Sequence, residues 1–209
     1  MDESTFTLSI WLGSVIEKSL TGMGIPLSWV NYAKLFVYIL IAALIVGGLY
    51  YIVKAIATFL IRKTYTTTGK SLLKYVLDNK VPRYLALLLP YIFIRSFIPT
   101  MLSDFPEMIK SATKVADIYF VLTVIWTIMA VIKSLVNLLQ ERPAFAQKPI
   151  RSYIQVMSII FYSVGGIIMF AIITNQSLGV IVAGLGAASA VTMLVFQDSI
   201  KGFVGSIQM

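Results

Sequence analysis

The sequence predicts an all-α membrane protein with about five transmembrane helices per subunit, the last of them kinked. Three observations predict it. Of 209 residues, 58% are hydrophobic and only 12% charged, with a mean hydropathy of +0.88, far from the roughly one-quarter charged composition of soluble domains. Apolar stretches recur five times at lengths that cross a hydrocarbon core of about 30 Å. Finally, the links between them alternate between strongly basic and nearly neutral, the charge asymmetry of a multi-span chain.

Residues 1–28 open with Asp2 and Glu3, the reverse of a basic secretory leader. Leu8 to Leu20 is too short to span and is expected to lie at the outer interface, ended by Gly22, Gly24 and Pro26, with Trp11 and Trp29 as belt aromatics. The four peripheral spans occupy 30–174. The first runs from Val30 to about Leu60, with Lys34 and Lys54 near its ends where long stems can snorkel. Arg62, Lys63, Lys70, Lys74, Lys80 and Arg83 follow, opposed only by Asp78. That link is cytoplasmic by its charge, so the amino terminus is outside. Tyr65 to Gly69 should break the helix, and Ser71 to Leu77 should add one or two surface turns.

The second span, about Val81 to Leu102, carries Pro90 and Arg95. An arginine inside a span marks a functional candidate. It also fits a plainer role, reaching the outer interface or capping carbonyls released near Pro90, and the sequence leaves both readings open. Ser103 to Lys114 is balanced in charge and reads as an outer loop. The third span, Ala116 to about Leu139, has Lys133 toward its inner end. Arg142, Lys148 and Arg151 make the next link basic again. Ser152 to Thr174 forms the fourth span, with Gly165 and Gly166 at its middle, and Asn175 to Ser177 is a tight outer turn.

The last stretch, 178–209, differs from the others. Leu178 to Gln197 has no charge but is rich in Gly179, Ala183, Gly184, Gly186, Ala187, Ala188, Ser189 and Ala190. Small residues in a membrane helix let neighbouring backbones approach closely. Asp198 then marks a membrane edge, since a carboxylate at bilayer depth costs about 2.5 kcal/mol or more. It is expected to cap a following amphipathic half-helix whose apolar face is Ile200, Phe203, Val204 and Ile207. The plain alternative is a last span with a frayed tail.

Absence of cysteine and histidine removes the commonest metal ligands and general base, and no phosphate loop, nucleophile elbow or potassium filter is present. Catalysis and cofactors are therefore not expected. The net charge of +8 belongs to the inner loops, so nucleic acid is not an expected partner. No linker or repeat divides the chain, and a single domain is expected.

The run Gly186-Ala-Ala-Ser-Ala-Val-Thr-Met-Leu-Val-Phe-Gln-Asp-Ser-Ile-Lys-Gly-Phe-Val-Gly-Ser-Ile-Gln208 resembles the pore-lining helix of small-conductance mechanosensitive channels (the MscS family), nearest to its YbdG-like mini-conductance branch. Asp198 stands where that family usually has a kink glycine, Met193 where it has a packing glycine, and Ala190 where it has the outer of two constricting leucines. The resemblance implies a homoheptamer in the bacterial inner (cytoplasmic) membrane, with periplasmic amino terminus and cytoplasmic carboxy terminus. It implies a pore face of Ala190 and Leu194, helix packing through Gly184, Gly186, Ala187 and Met193, and a bend at Gln197 and Asp198. Membrane lipids, inorganic ions and small solutes are the implied partners. Members of that family continue into a cytoplasmic β-rich domain; this sequence ends at Met209 within the half-helix, so a longer natural chain is expected. From the residues alone, the alternative is a multi-span transporter or scaffold in which small-residue packing serves ordinary bundle assembly.

The orientation is testable directly. Single cysteines at Thr68 and Ala146 should react with an impermeant thiol reagent only after the cytoplasm is opened, and one at Asn175 should react from outside; outside labelling at Thr68 reverses the topology.

Overall fold

A computed structural model describes residues 27–68, 71–146 and 150–207, together with 14, 15, 18, 19 and 22. Among the described residues every regular element is helical: α1 (Leu27–Thr68), α2 (Ser71–Asp78), α3 (Val81–Met101), α4 (Pro106–Gln140), α5 (Pro143–Ala146), α6 (Ile150–Thr174) and α7 (Leu178–Ile207). Five of them, α1, α3, α4, α6 and α7, are long and apolar enough to cross a membrane. The interfacial segment expected within 1–28 lies almost wholly outside the described residues, as do Gly69 and Lys148. The expectation of one domain meets a division into two compact units, Met1–Ser158 and Ile159–Met209.

In the first unit α3 packs against both α1 and α4, while the short α2 packs across all three. The buried face of α4 explains the close fit. Ala116, Thr123, Thr127, Ala130 and Ser134 recur at helical spacing and are buried, and small or short hydroxylated side chains allow near approach of the facing helix. Their hydroxyls need donors' partners in a water-poor core. Thr123 and Thr127 donate to the carbonyls of Phe120 and Thr123 within α4. Ser134 lies within bonding distance of both Ala130 and Tyr75 carbonyls, at 2.8 and 3.1 Å, and so ties α4 to α2.

Toward the α3–α4 turn, Ile98, Leu102 and Ala116 form a buried cluster supported by Leu35 of α1. Lys34 does more than snorkel. Its ammonium sits 2.9 Å from Asp104 with its side chain 13% exposed, fastening α1 to the turn. Phe105 meets Tyr32 of α1 with ring centroids 5.4 Å apart. The loop expected over 103–114 is therefore much shorter. Helix α4 begins at Pro106, ten residues before Ala116, because proline in the first turn needs no N–H partner and Glu107 complements the positive helix end. Likewise α1 continues to Thr68 through the break expected from Tyr65, since threonine lowers helix propensity only modestly.

In the second unit the turn between α6 and α7 is capped on both sides. Asn175 adopts φ 55°, the left-handed conformation asparagine tolerates, and the Gln176 N–H donates to the Ala171 carbonyl at 3.1 Å, the pattern that closes a helix C-terminus. Ser177 then caps α7. Its hydroxyl oxygen accepts from the Val180 N–H at 3.3 Å and its carbonyl from the Ile181 N–H at 3.2 Å. The break expected at Gln197 and Asp198 is absent here, and α7 runs unbroken for 30 residues. Asp198 thus lies inside the helix and is no cap. Glutamine, aspartate and serine each retain their N–H, so nothing at 197–199 removes a rung of the backbone ladder.

Where α2 meets the end of α4, the Tyr75 hydroxyl donates to Glu141 Oε1 at 2.6 Å. This bond, with a second from Ser71, holds the Glu141 carboxyl below its ordinary pKa; the same bond, chiefly, raises Tyr75 above its usual 10. A lowered carboxylate stabilises the folded state fully above about 4.5, and that contribution fades as pH falls through the lowered value. The raised phenol contributes below 10 and fades as pH rises through its folded value. Tyr75→Phe should lower the exchange protection of the amides across Ser71 to Asp78 at pH 7 and remove the further loss of protection expected in the unaltered chain as pH falls through the lowered Glu141 value. Equal protection in both chains means that the Ser134 bond and apolar contacts dock α2 without the phenol.

Candidate functional site

Helix α7 carries its small residues in register. Gly179, Ala183, Gly186, Ala190, Leu194, Gln197 and Lys201 follow one another at steps of three or four residues and so share one helical face. The face turned to α6 is a different one, roughly half a turn away. There Val180, Ile181, Gly184 and Leu185 line an apolar hollow of about 570 Å³ with Gly166 and Phe170 of α6. Of the expected packing residues, Gly184 therefore belongs to the α6 side. Gly186 lies on the small-residue face and Ala187 at its edge.

Further along, Ala190, Met193, Leu194 and Gln197 surround a shallow hollow of about 410 Å³ with Ile200 and Lys201. The structure brings the two expected pore residues together with two residues expected at helix contacts and the bend. Asp198 lies off this face, 94% exposed, its carboxylate 3.8 Å from Lys201. An exposed pair one turn apart contributes little.

No residue of α7 is buried. Leu194 is 70% and Met193 74% exposed. A Cβ added at Gly184 or Gly186 would meet nothing within 4 Å. Glycine inside a helix costs about 1 kcal/mol relative to alanine, yet no neighbour within the chain uses the space that either glycine leaves.

A second cluster lies inside the first unit. Tyr91 and Arg95 stand one turn apart on α3 and face Asp117 on α4. The Arg95 Nε is 3.4 Å from Asp117 Oδ1, and the same oxygen accepts the Tyr91 hydroxyl at 2.9 Å. The Tyr91 ring stacks on Phe120 at 4.3 Å. Of the two roles open to Arg95, the structure gives it a charged partner between helices. The carbonyl three residues before Pro90 is served instead by Tyr119, whose hydroxyl donates to Leu87 at 2.8 Å, a neighbouring helix satisfying backbone loosened by proline. Sequence reasoning missed Asp117, Tyr91 and Tyr119. An acid just inside one span, opposite an arginine in the span before it, was the available signal.

Arg95→Leu leaves Asp117 without its cation, and Asp117→Leu leaves Arg95 alone. A lone charge in a span costs about 2.5–3.5 kcal/mol on insertion scales, so either single change should lower the melting temperature in mild detergent more than the double change does. Single and double variants melting alike would mean that the pair is not excluded from water.

No family model matches the chain, and no solved structure matches it.

Proposed function

We propose that the chain is a subunit of a mechanosensitive ion channel that opens under membrane tension and passes inorganic ions and small solutes for osmotic protection. The observation that carries this reading is α7: a helix with about 20 uncharged residues, a small-residue face from Gly179 to Ala190, and no buried residue. Such a face has no use in lipid, because hydrocarbon packs as well against leucine as against glycine, and it suits other copies of the same helix. The resemblance of Gly186 to Gln208 to the MscS pore helix points the same way. In that arrangement seven copies form a ring in the bacterial inner membrane, with α7 lining the axis. Membrane lipids surround the assembly.

Ala190 and Leu194 face the axis in this reading. A ring of Leu194 side chains is an apolar collar that water leaves when it is narrow, so it blocks ions without a plug. Ala190 is too small to narrow the passage. Gln197 and Asp198 mark the level at which the helix leaves the bilayer, on the cytoplasmic side. Tension favours the state that occupies more membrane area, and populations shift only as far as the areas differ.

One observation favours a second reading. Arg95 and Asp117 form an ion pair between spanning helices, and intramembrane ionisable groups often line solute or proton paths, as a transporter needs. Recording from membrane patches under graded suction separates the two: pressure-dependent current steps support the channel, and their absence together with saturable solute flux supports a transporter.

The collar makes a sharper test. Leu194→Ser offers hydrogen bonds where the wall had none and should wet the constriction, lowering the opening tension and slowing growth of expressing cells. Met193→Ser, one position around the helix, should leave the threshold near that of the unaltered chain. The reverse pattern rotates the pore face by one residue.

A further inference from the structure

One hollow in the first unit stands apart by its charge. Lys54 and Arg62 of α1, Lys74 of α2, and Lys80 and Arg83 at the start of α3 line a space of about 600 Å³ in which Asp78 is the one acid on the wall. Among the described residues, none of these five cations lies within 4.0 Å of a carboxylate.

Local structure forces the convergence. Lys54, Thr58 and Arg62 repeat at four-residue steps and so share one face of α1. Lys80 turns the chain through φ 59°, and the buried Pro82 fixes the first turn of α3, setting Arg83 beside it. Like charges drawn to one hollow repel one another, and Asp78 on the wall together with Glu141, which attracts Lys74 from outside it, still leaves positive charge in excess. The occupant that relieves this is an anion.

The surroundings say which kind. Leu44, Tyr51, Thr58 and Tyr65 recur at seven-residue steps along α1, so the hollow's wall continues as one helical face toward the middle of the span. On that face Leu44 and Tyr51 are each 68% exposed. A free inorganic anion has no use for an apolar track. A phospholipid has, because its phosphate and its acyl chains need both surfaces at once.

We propose that this hollow binds the phosphate of an anionic phospholipid in the leaflet on the side of the basic links, with an acyl chain lying along Leu44 and Tyr51. The site depends on the chain lying in a bilayer and not on its being a channel. Basic pockets between membrane helices are suited to such headgroups, each surface cation strengthening attraction about fivefold.

The test uses the full chain, delipidated in detergent, with phosphatidylglycerol or phosphatidylcholine added back and retention read by native mass spectrometry. Phosphatidylglycerol should be retained in preference to phosphatidylcholine. The triple variant Arg62→Gln, Lys74→Gln, Arg83→Gln should lower that retention by on the order of 100-fold. Lys110→Gln, Lys114→Gln, Arg142→Gln removes as many charges elsewhere and should leave it within about twofold. Lys74→Gln alone, on an exposed side chain, should lower it about fivefold and serves if the triple variant fails to fold. Equal retention of the two lipids overturns the proposal. So does an equal loss in both triple variants, which would mean diffuse attraction. If inorganic phosphate binds in a manner sensitive to the hollow's variants while phosphatidylglycerol does not, the hollow takes a free phosphate and the lipid assignment is wrong.

Discussion

Inside a bilayer, any polar group a helix carries must find its partner in protein, and the first unit is built around that rule. No buried side-chain nitrogen or oxygen among the described residues lacks a hydrogen-bond partner. The short hydroxyls of Thr123 and Thr127 turn back onto their own helix. Ser134 also reaches across to Tyr75, and Tyr119 reaches the carbonyl near Pro90. Charge follows the same rule at larger scale: Lys34 is answered by Asp104 and Arg95 by Asp117. These pairs do not add much net energy, because desolvation offsets attraction. What they do is set which helix lies beside which, since any other arrangement strands a charge in hydrocarbon.

Helix α7 obeys the rule differently. Its backbone is satisfied within the helix, its hydroxyls at Ser189 and Thr192 bond back one turn to Leu185 and Ala188, and nothing polar compels it to pack. Yet its surface has the shape of a packing surface. The two units thus differ in kind: polar pairing specifies the packing of the first, while the surface of α7 is apolar and rich in small residues. Steric contacts of that kind tolerate sliding and tilting far better than a hydrogen-bonded pair does.

Most of this fold was legible. Hydropathy alone located five spans because each needs a long, predominantly apolar run, and α3 and α6 begin and end within two residues of expectation. The edges failed where charge was mistaken for loop: Glu107, Lys110 and Lys114 sit on the first turns of α4, where a long helix extends beyond the apolar window. Asp117 was missed for the same reason: it lies one residue inside the expected start of the third span, and its neighbours continue the helix on both sides. The resemblance put Ala190 and Leu194 on one face, and a separation of four residues in one helix agrees with it. It could not assign Gly184 to the α6 side, because that depends on how the turn at Asn175 aims the returning helix. The polar triplet at 197–199 suggested a cap, but a cap requires the preceding helix to stop, and nothing there stops it.

The turn between α6 and α7 has a mechanical consequence. With the carbonyl of Ala171 and the N–H of Val180 both engaged, the link is short, and any change in its backbone angles reorients α7 as a whole about its first residue. A 30-residue helix is then an arm roughly 45 Å long. Swinging it by about 10° carries Leu194 sideways by about 4 Å and the far end by about 8 Å, so a small angular change beside Ser177 becomes, two-thirds of the way along the arm or less, a displacement as large as a side chain.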